Sequence, residues 1–75
     1  MSQGDWELQV SLREARNGNY ESAIHHIHYC ARLWCEIGYI DKDQLIIAAI
    51  ELSKHGLAKY VLELCLYCAK HLGLY

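Results

Sequence analysis

The sequence predicts an all-α chain: four helices in an up-and-down arrangement of two αα-hairpins. Three observations carry this. Apolar residues recur at three- and four-residue intervals through most of the 75 residues. Gly18, Gly38, Gly56 and Gly73 fall where those stripes end, in a sequence without Pro to break a helix. A shift of about 38 residues superposes Gly18 on Gly56, Tyr29-Cys30-Ala31-Arg32 on Tyr67-Cys68-Ala69-Lys70, and Asp5 on Asp43. That period lies at the short end of the range for repeated helical hairpins. Few other positions match, so the repeat lies mainly in its punctuation.

The first helix is expected over about 3–17. Ser2 and Asp5 are good caps, and Ser2-x-x-Asp5 approximates a capping box. Leu8, Leu12 and Ala15 form its apolar stripe, Trp6 and Val10 widen it, and Glu7, Arg13 and Glu14 point outward. Asn17-Gly18 ends it, because both residues tolerate the left-handed conformation of a helix C-terminus.

The second helix, about 20–37, follows Asn19 as cap. Tyr20, Ala23, Ile24, Ile27, Ala31, Trp34 and Ile37 make a wide core-facing stripe, with His25, Tyr29, Arg32 and Glu36 opposite. Gly38 stops it, and the short link Tyr39-Ile40 is expected to make the next helix an antiparallel neighbour.

For the third helix, about 42–55, Asp41-x-x-Gln44 fits a capping box and Asp43 adds negative charge to the first turn. Leu45 to Ile50 and Leu52 leave almost no polar face, and Lys54 and His55 suit the carboxyl end before Gly56. The fourth helix, about 57–72, has a narrow polar strip of Lys59, Glu63, Tyr67 and Lys70 on an otherwise apolar circumference.

One domain spans 1–75, small enough for its core to be marginal without efficient packing or a partner. The apolar fraction of 53% supplies enough core material to exclude disorder. Net charge is −2 and the seven basic residues are scattered, which disfavours nucleic-acid binding. The longest aliphatic run, Leu45 to Ile50, is far too short for a membrane span. Met1 to Asp5 lacks the basic start and apolar run of a secretory signal, so four reduced cysteines in the cytoplasm are expected.

Gly18-Asn19-Tyr20-Glu21-Ser22-Ala23-Ile24 resembles the second helix of a tetratricopeptide repeat, with Ile27 and Cys30 at the large and small positions that follow. The same stretch is similar to the second helix of microtubule-interacting-and-trafficking domains, whose long final helix would be broken here at His55-Gly56. In the first helix Val10-Ser11 stands where the repeat has Leu-Gly, and Ala58 and Val61 replace Tyr and Ala in the second unit. The resemblance implies an αα-hairpin scaffold used for protein contacts. A Gly-punctuated, Pro-free helical chain with an internal echo also fits an engineered protein. Four Cys and five His are unusual choices for a designed core; assembly from natural fragments would reconcile the two. For an engineered chain, cellular location has no meaning.

Cys65-x-x-Cys68 has the spacing of a redox pair, but it lies two turns inside a helix, whereas thioredoxin-type thiolates need a helix N-terminus. Two core cysteines at helical spacing is the favoured reading. Cys65, Cys68 and His71 step by three along one helix, and His25/His28 or His26/Cys30 on the second helix could face them as zinc ligands. An apolar helix interior supplies poor outer-shell partners for such a site. Glu21/His25 and Glu51/His55 read as surface pairs, and Trp6, Trp34 and the six Tyr as core edges and interface anchors.

No catalytic or cofactor-binding residue is assigned, and no cofactor is expected. The chain reads as a non-enzymatic helical scaffold or protein-interaction module, or a designed fold without a biological role. The alternative is a metal-binding bundle using His25, His28, Cys30, Cys65, Cys68 or His71. The third and fourth helices carry apolar residues on nearly every face, including Ile46, Ile47, Ile50, Leu62, Leu66 and Leu74. Self-association through them, as a symmetric homodimer, or binding of a protein partner is expected.

Overall fold

The computed structural model of the chain describes residues 2–73. Four helices fill it: α1 (Gln3–Arg16), α2 (Tyr20–Ile37), α3 (Lys42–Lys54) and α4 (Ala58–His71). Each boundary falls within a residue of the sequence expectation, as fraying helix ends allow. The capping box of α1 forms in full. The Ser2 hydroxyl accepts the Asp5 N–H at 3.2 Å, and the Asp5 carboxylate accepts the Ser2 N–H at 3.4 Å. At α3, Asp41 Oδ1 accepts the Gln44 N–H at 3.1 Å.

Asn19 does not cap α2 with its side chain. Its Nδ2 instead donates to the Glu14 carboxylate at 3.0 Å, and the Ser22 hydroxyl reaches the other Glu14 oxygen. The Asn19 hydrogen bond is the chief reason that the Glu14 carboxyl is held below its ordinary range. An outward-pointing position of the sequence reading therefore ties the first turn together.

The two hairpin turns share one hydrogen-bond pattern. After α1, the Gly18 N–H donates to the Ala15 carbonyl at 3.1 Å and the Asn19 N–H to the Glu14 carbonyl at 2.8 Å. After α3, the Gly56 N–H donates to Ser53 at 3.1 Å and the Leu57 N–H to Leu52 at 3.0 Å. Gly18 and Gly56 hold φ of 79° and 75°, a left-handed conformation that costs glycine little. The internal echo of the sequence is thus an echo of turn geometry.

The hairpins stack in two layers. α1 packs on α2 and on α3, while α4 packs on α3 and on α2. Among the described residues α2 and α3 make no backbone approach, so the expected side-by-side pairing across Tyr39-Ile40 does not occur. The link carries the chain diagonally, because helix-on-helix burial in this stack sets α3 above α1 and α4 above α2. Polar contacts fix that register. Gln9 bonds Gln44, and Arg16 Nε lies 2.8 Å from Glu51 Oε1, so Glu51 pairs across helices rather than with His55.

The core runs through all four helices, with Leu8, Leu12, Ile27, Trp34 and Leu52 fully enclosed. Trp34 is completely buried, not at a core edge, whereas Trp6 is half exposed instead of widening the α1 stripe. Tyr20 and Ile37, expected in the α2 core stripe, are also exposed. Trp34 occupies its place because residue 4 has no side chain. A Cβ on Gly4 would stand 2.7 Å from Trp34 Nε1 and 3.2 Å from its Cγ. The indole N–H then donates to Asp5 Oδ1 at 2.9 Å. Burial works to raise the Asp5 carboxyl, but the bonds from Trp34 and Ser2 outweigh it and hold the group below its usual value.

Two outcomes follow. Gly4→Ala adds helix propensity of about 1 kcal/mol, yet forcing the indole from its seat costs about 1–3 kcal/mol; denaturant melts should show net destabilisation. Asp5 is ionised in the fold more readily than in the unfolded chain. Its contribution is therefore present above the ordinary value of 3.8 and lost as pH falls below it. Asp5→Asn should be less stable at neutral pH and should lose less stability than the parent on acidification through that window.

Candidate interaction surface

The residues weighed as metal ligands do not converge. Cys30 and Cys68 are fully enclosed between α2 and α4, with Cys35 and Cys65 at the margin of the same layer. Cys68 Sγ lies 3.7 Å from Cys35 Sγ and 3.8 Å from the Ala31 carbonyl. His25, His28 and His71 are on the outer surface. His71 stacks on Tyr67 with ring centroids 4.2 Å apart, and His28 sits 4.0 Å from Glu63 and beside Tyr60. His26 pairs with Glu7 of α1. Among the described residues no group of three His, Cys, Asp or Glu side chains is placed to hold one metal ion.

Cys30, Cys65 and Cys68 are also poorly suited to nucleophilic chemistry. Burial pushes the Cys68 thiol up to about 12, with Cys35 adding to the rise, and burial raises Cys30 and Cys65 as well. A thiol needs a lowered value to be a thiolate near neutral pH. Between α2 and α4 a groove of about 310 Å³ is lined by His28, Arg32, Glu63, Tyr67, Ala31 and Leu64. It brings an imidazole, a guanidinium, a carboxylate and a phenol to one rim, and among the described residues no Cys or Ser side chain lines it.

What distinguishes the surface is its aliphatic content on the second hairpin. Ile46, Ile47 and Ile50 on α3 are 59%, 53% and 58% exposed, and Leu62 and Leu66 on α4 are 60% and 49% exposed. Their direction follows from their neighbours. Gln44 and Glu51 turn toward α1, and Glu63 turns toward α2. At 100° per residue, Ile46 and Ile50 then face away from α1, and Leu62 and Leu66 lie on the side of α4 away from its buried Val61, Leu64 and Cys68. Ile47 flanks them. Five aliphatic side chains share the outer side of the α3–α4 hairpin, while Ala48, Leu52, Val61 and Leu64 occupy its inner side. Leu74, also expected on this face, lies outside the described residues.

The face is legible in the sequence as the nearly all-apolar character of α3 and α4. Which side is covered is not. No family model, curated protein or solved structure matches this chain. Among the described residues no helix is long and apolar enough to cross a membrane.

The thiol environment has a direct readout. Iodoacetamide labelling of the native protein, located by mass spectrometry, should modify Cys35 and Cys65 before Cys30 and Cys68. Because folding raises these thiol values above the ordinary 9.0, the unfolded chain ionises first as pH rises, and stability should fall above about pH 9. Cys30→Ala and Cys68→Ala should each flatten that fall.

Proposed function

We propose that this chain is a non-enzymatic protein-interaction module, a stacked αα-hairpin scaffold whose binding surface is the outer side of α3 and α4. The observation that carries this is the run of Ile46, Ile47, Ile50, Leu62 and Leu66 in solvent, each about half exposed or more. Single exposed apolar residues are ordinary, but a contiguous patch of several hundred Å² on so small a protein marks a place of contact. Protein partners suit it better than small ligands, because the face is convex helix surface and ligand sites are enclosed clefts. Apolar helix faces of this width take another helix laid along them, read through residues at three- and four-residue spacing.

The rest of the surface supports that reading. The outer side of α1 and α2 presents Arg13, Glu21, His25 and Arg32, a solvated face on which Trp6 and Tyr29 are the exposed aromatics. Binding is thus concentrated at one end of the stack.

Photo-crosslinking in cells expressing the chain tests this. A benzophenone amino acid at position 47 should yield protein adducts at several-fold higher level than one at position 13, and Leu62→Asp should suppress them. Equal adduct formation from the two positions, or none from position 47, would overturn the proposal.

A further inference from the structure

We infer that the occupant of this face is a second copy of the chain, joined about a two-fold axis with α3 antiparallel to α3 of the partner copy. This rests on the proposal that the α3–α4 face is a binding surface, and it names the partner.

The repeat says what kind of surface is uncovered. Shifting by the internal period sets Leu8 on Ile46, Leu12 on Ile50 and Ile24 on Leu62. Leu8 and Leu12 are 1% and 2% exposed, enclosed in the core that all four helices share. Among the described residues nothing covers their counterparts Ile46 and Ile50, which stand in solvent. The outer side of the second hairpin therefore has the character of an interior surface. Stacked-hairpin proteins normally close such an end with a polar cap.

Head-to-tail stacking would lay this face on the outer side of α1 and α2 of the next copy. That side carries Arg13, His25 and Arg32, so apolar groups would meet charge. The face is better matched by itself, and a self-matched interface closes as a dimer instead of growing into a filament.

The charge pattern along α3 fixes the direction. Asp43, Ile47, Ile50 and Lys54 are all exposed and follow one another at four, three and four residues, the spacing of a helix-pairing seam. Antiparallel pairing about a two-fold axis between residues 48 and 49 sets Ile47 against Ile50 of the other copy, and Asp43 against its Lys54. Both ends of the seam then carry opposite charges. The corresponding seam of α4 has Lys59 and Lys70 at its ends, so α4 placed on the axis would bring like charges together. With α3 on the axis, Leu62 and Leu66 flank it. The five aliphatic side chains present on the order of 500 Å² per copy, or about 1,000 Å² for the pair, near the lower bound for a specific interface. Association in the micromolar range is the corresponding expectation.

Sedimentation equilibrium of the purified chain from about 1 to about 100 μM decides this. A monomer–dimer equilibrium is expected, with a melting temperature that rises with concentration. Ile47→Asp, at an exposed position, should be monomeric with unchanged helical circular dichroism. Asp43→Lys should weaken dimerisation about tenfold by setting Lys against Lys at both ends of the seam, and Asp43→Lys with Lys54→Asp should restore it. Restoration is informative because the double variant places unfavourable charge at both ends of α3 and so weakens the helix itself. A single monomeric species throughout overturns the dimer. If adducts with other proteins still form through position 47, the interaction surface stands without it. A dimer indifferent to the charge exchange overturns the antiparallel α3 pairing, and species that keep growing with concentration overturn the closed two-fold.

Discussion

The Trp34 indole reaches from the last turns of α2 to the first turn of α1, where it lies on Gly4 and donates its N–H to Asp5. Asp5 is already committed to the Ser2 backbone N–H, so one carboxylate both closes the start of a helix and receives a buried donor. An unpartnered indole N–H in a core would cost about 1–3 kcal/mol. Asp5 removes that cost while its own charge is satisfied by hydrogen bonds rather than by a cation. Asp41, which caps α3, lies beside Asp5, so the starts of α1 and α3 and the end of α2 converge there. The large side chain at the centre of the core is thereby fixed in position and angle, and Leu8, Ile27 and Leu52 pack in the space around it.

From that anchor the two layers differ in how they are held. The α1–α3 layer is tied at its rim by polar pairs, Gln9 with Gln44 and Arg16 with Glu51. Such exposed pairs contribute little energy, typically about 1 kcal/mol or less, but they set the register in which α3 lies on α1. The α2–α4 layer is joined by soft contacts, with Cys30, Cys35, Cys65 and Cys68 filling space between helices that approach closely over small residues. The same burial that makes Cys30, Cys65 and Cys68 good packing groups disfavours their ionised form. Among the described residues every buried side-chain nitrogen or oxygen has a hydrogen-bond partner, including Ser11, whose hydroxyl returns to the Leu8 carbonyl at 2.6 Å.

A two-hairpin stack has a problem of ends. Each hairpin can cover one side of its neighbour, so the outer sides must be polar or find another partner. The first hairpin meets this with charged residues, while the second leaves five aliphatic side chains exposed. The near-continuous apolar run of α3 cannot be accounted for by the internal core, which takes only Ala48 and Leu52 into full burial. The excess is placed where a further layer would sit, which is why the interaction reading follows from packing and not from any catalytic group.

The sequence by itself determined the helices and their punctuation. Their signals are local: capping side chains at Ser2 and Asp41, apolar residues at helical spacing, and glycines able to hold positive φ at each C-terminus. The buried set Leu8, Leu12, Ala23, Ile27 and Ala31 was legible for the same reason. Only the tertiary structure decided what depends on distant residues meeting. Gly4 gave no sign of its role, because its missing Cβ matters only when Trp34 arrives from 30 residues away. Glu51 and Glu14 looked like solvated charges until α1 and the first turn came within reach. The diagonal crossing from α2 to α3 was hidden because a short link limits distance but not the side on which the next helix lands. The histidines and cysteines that shared helical spacing separated into surface and core, since spacing along one helix does not say which faces of two helices will meet.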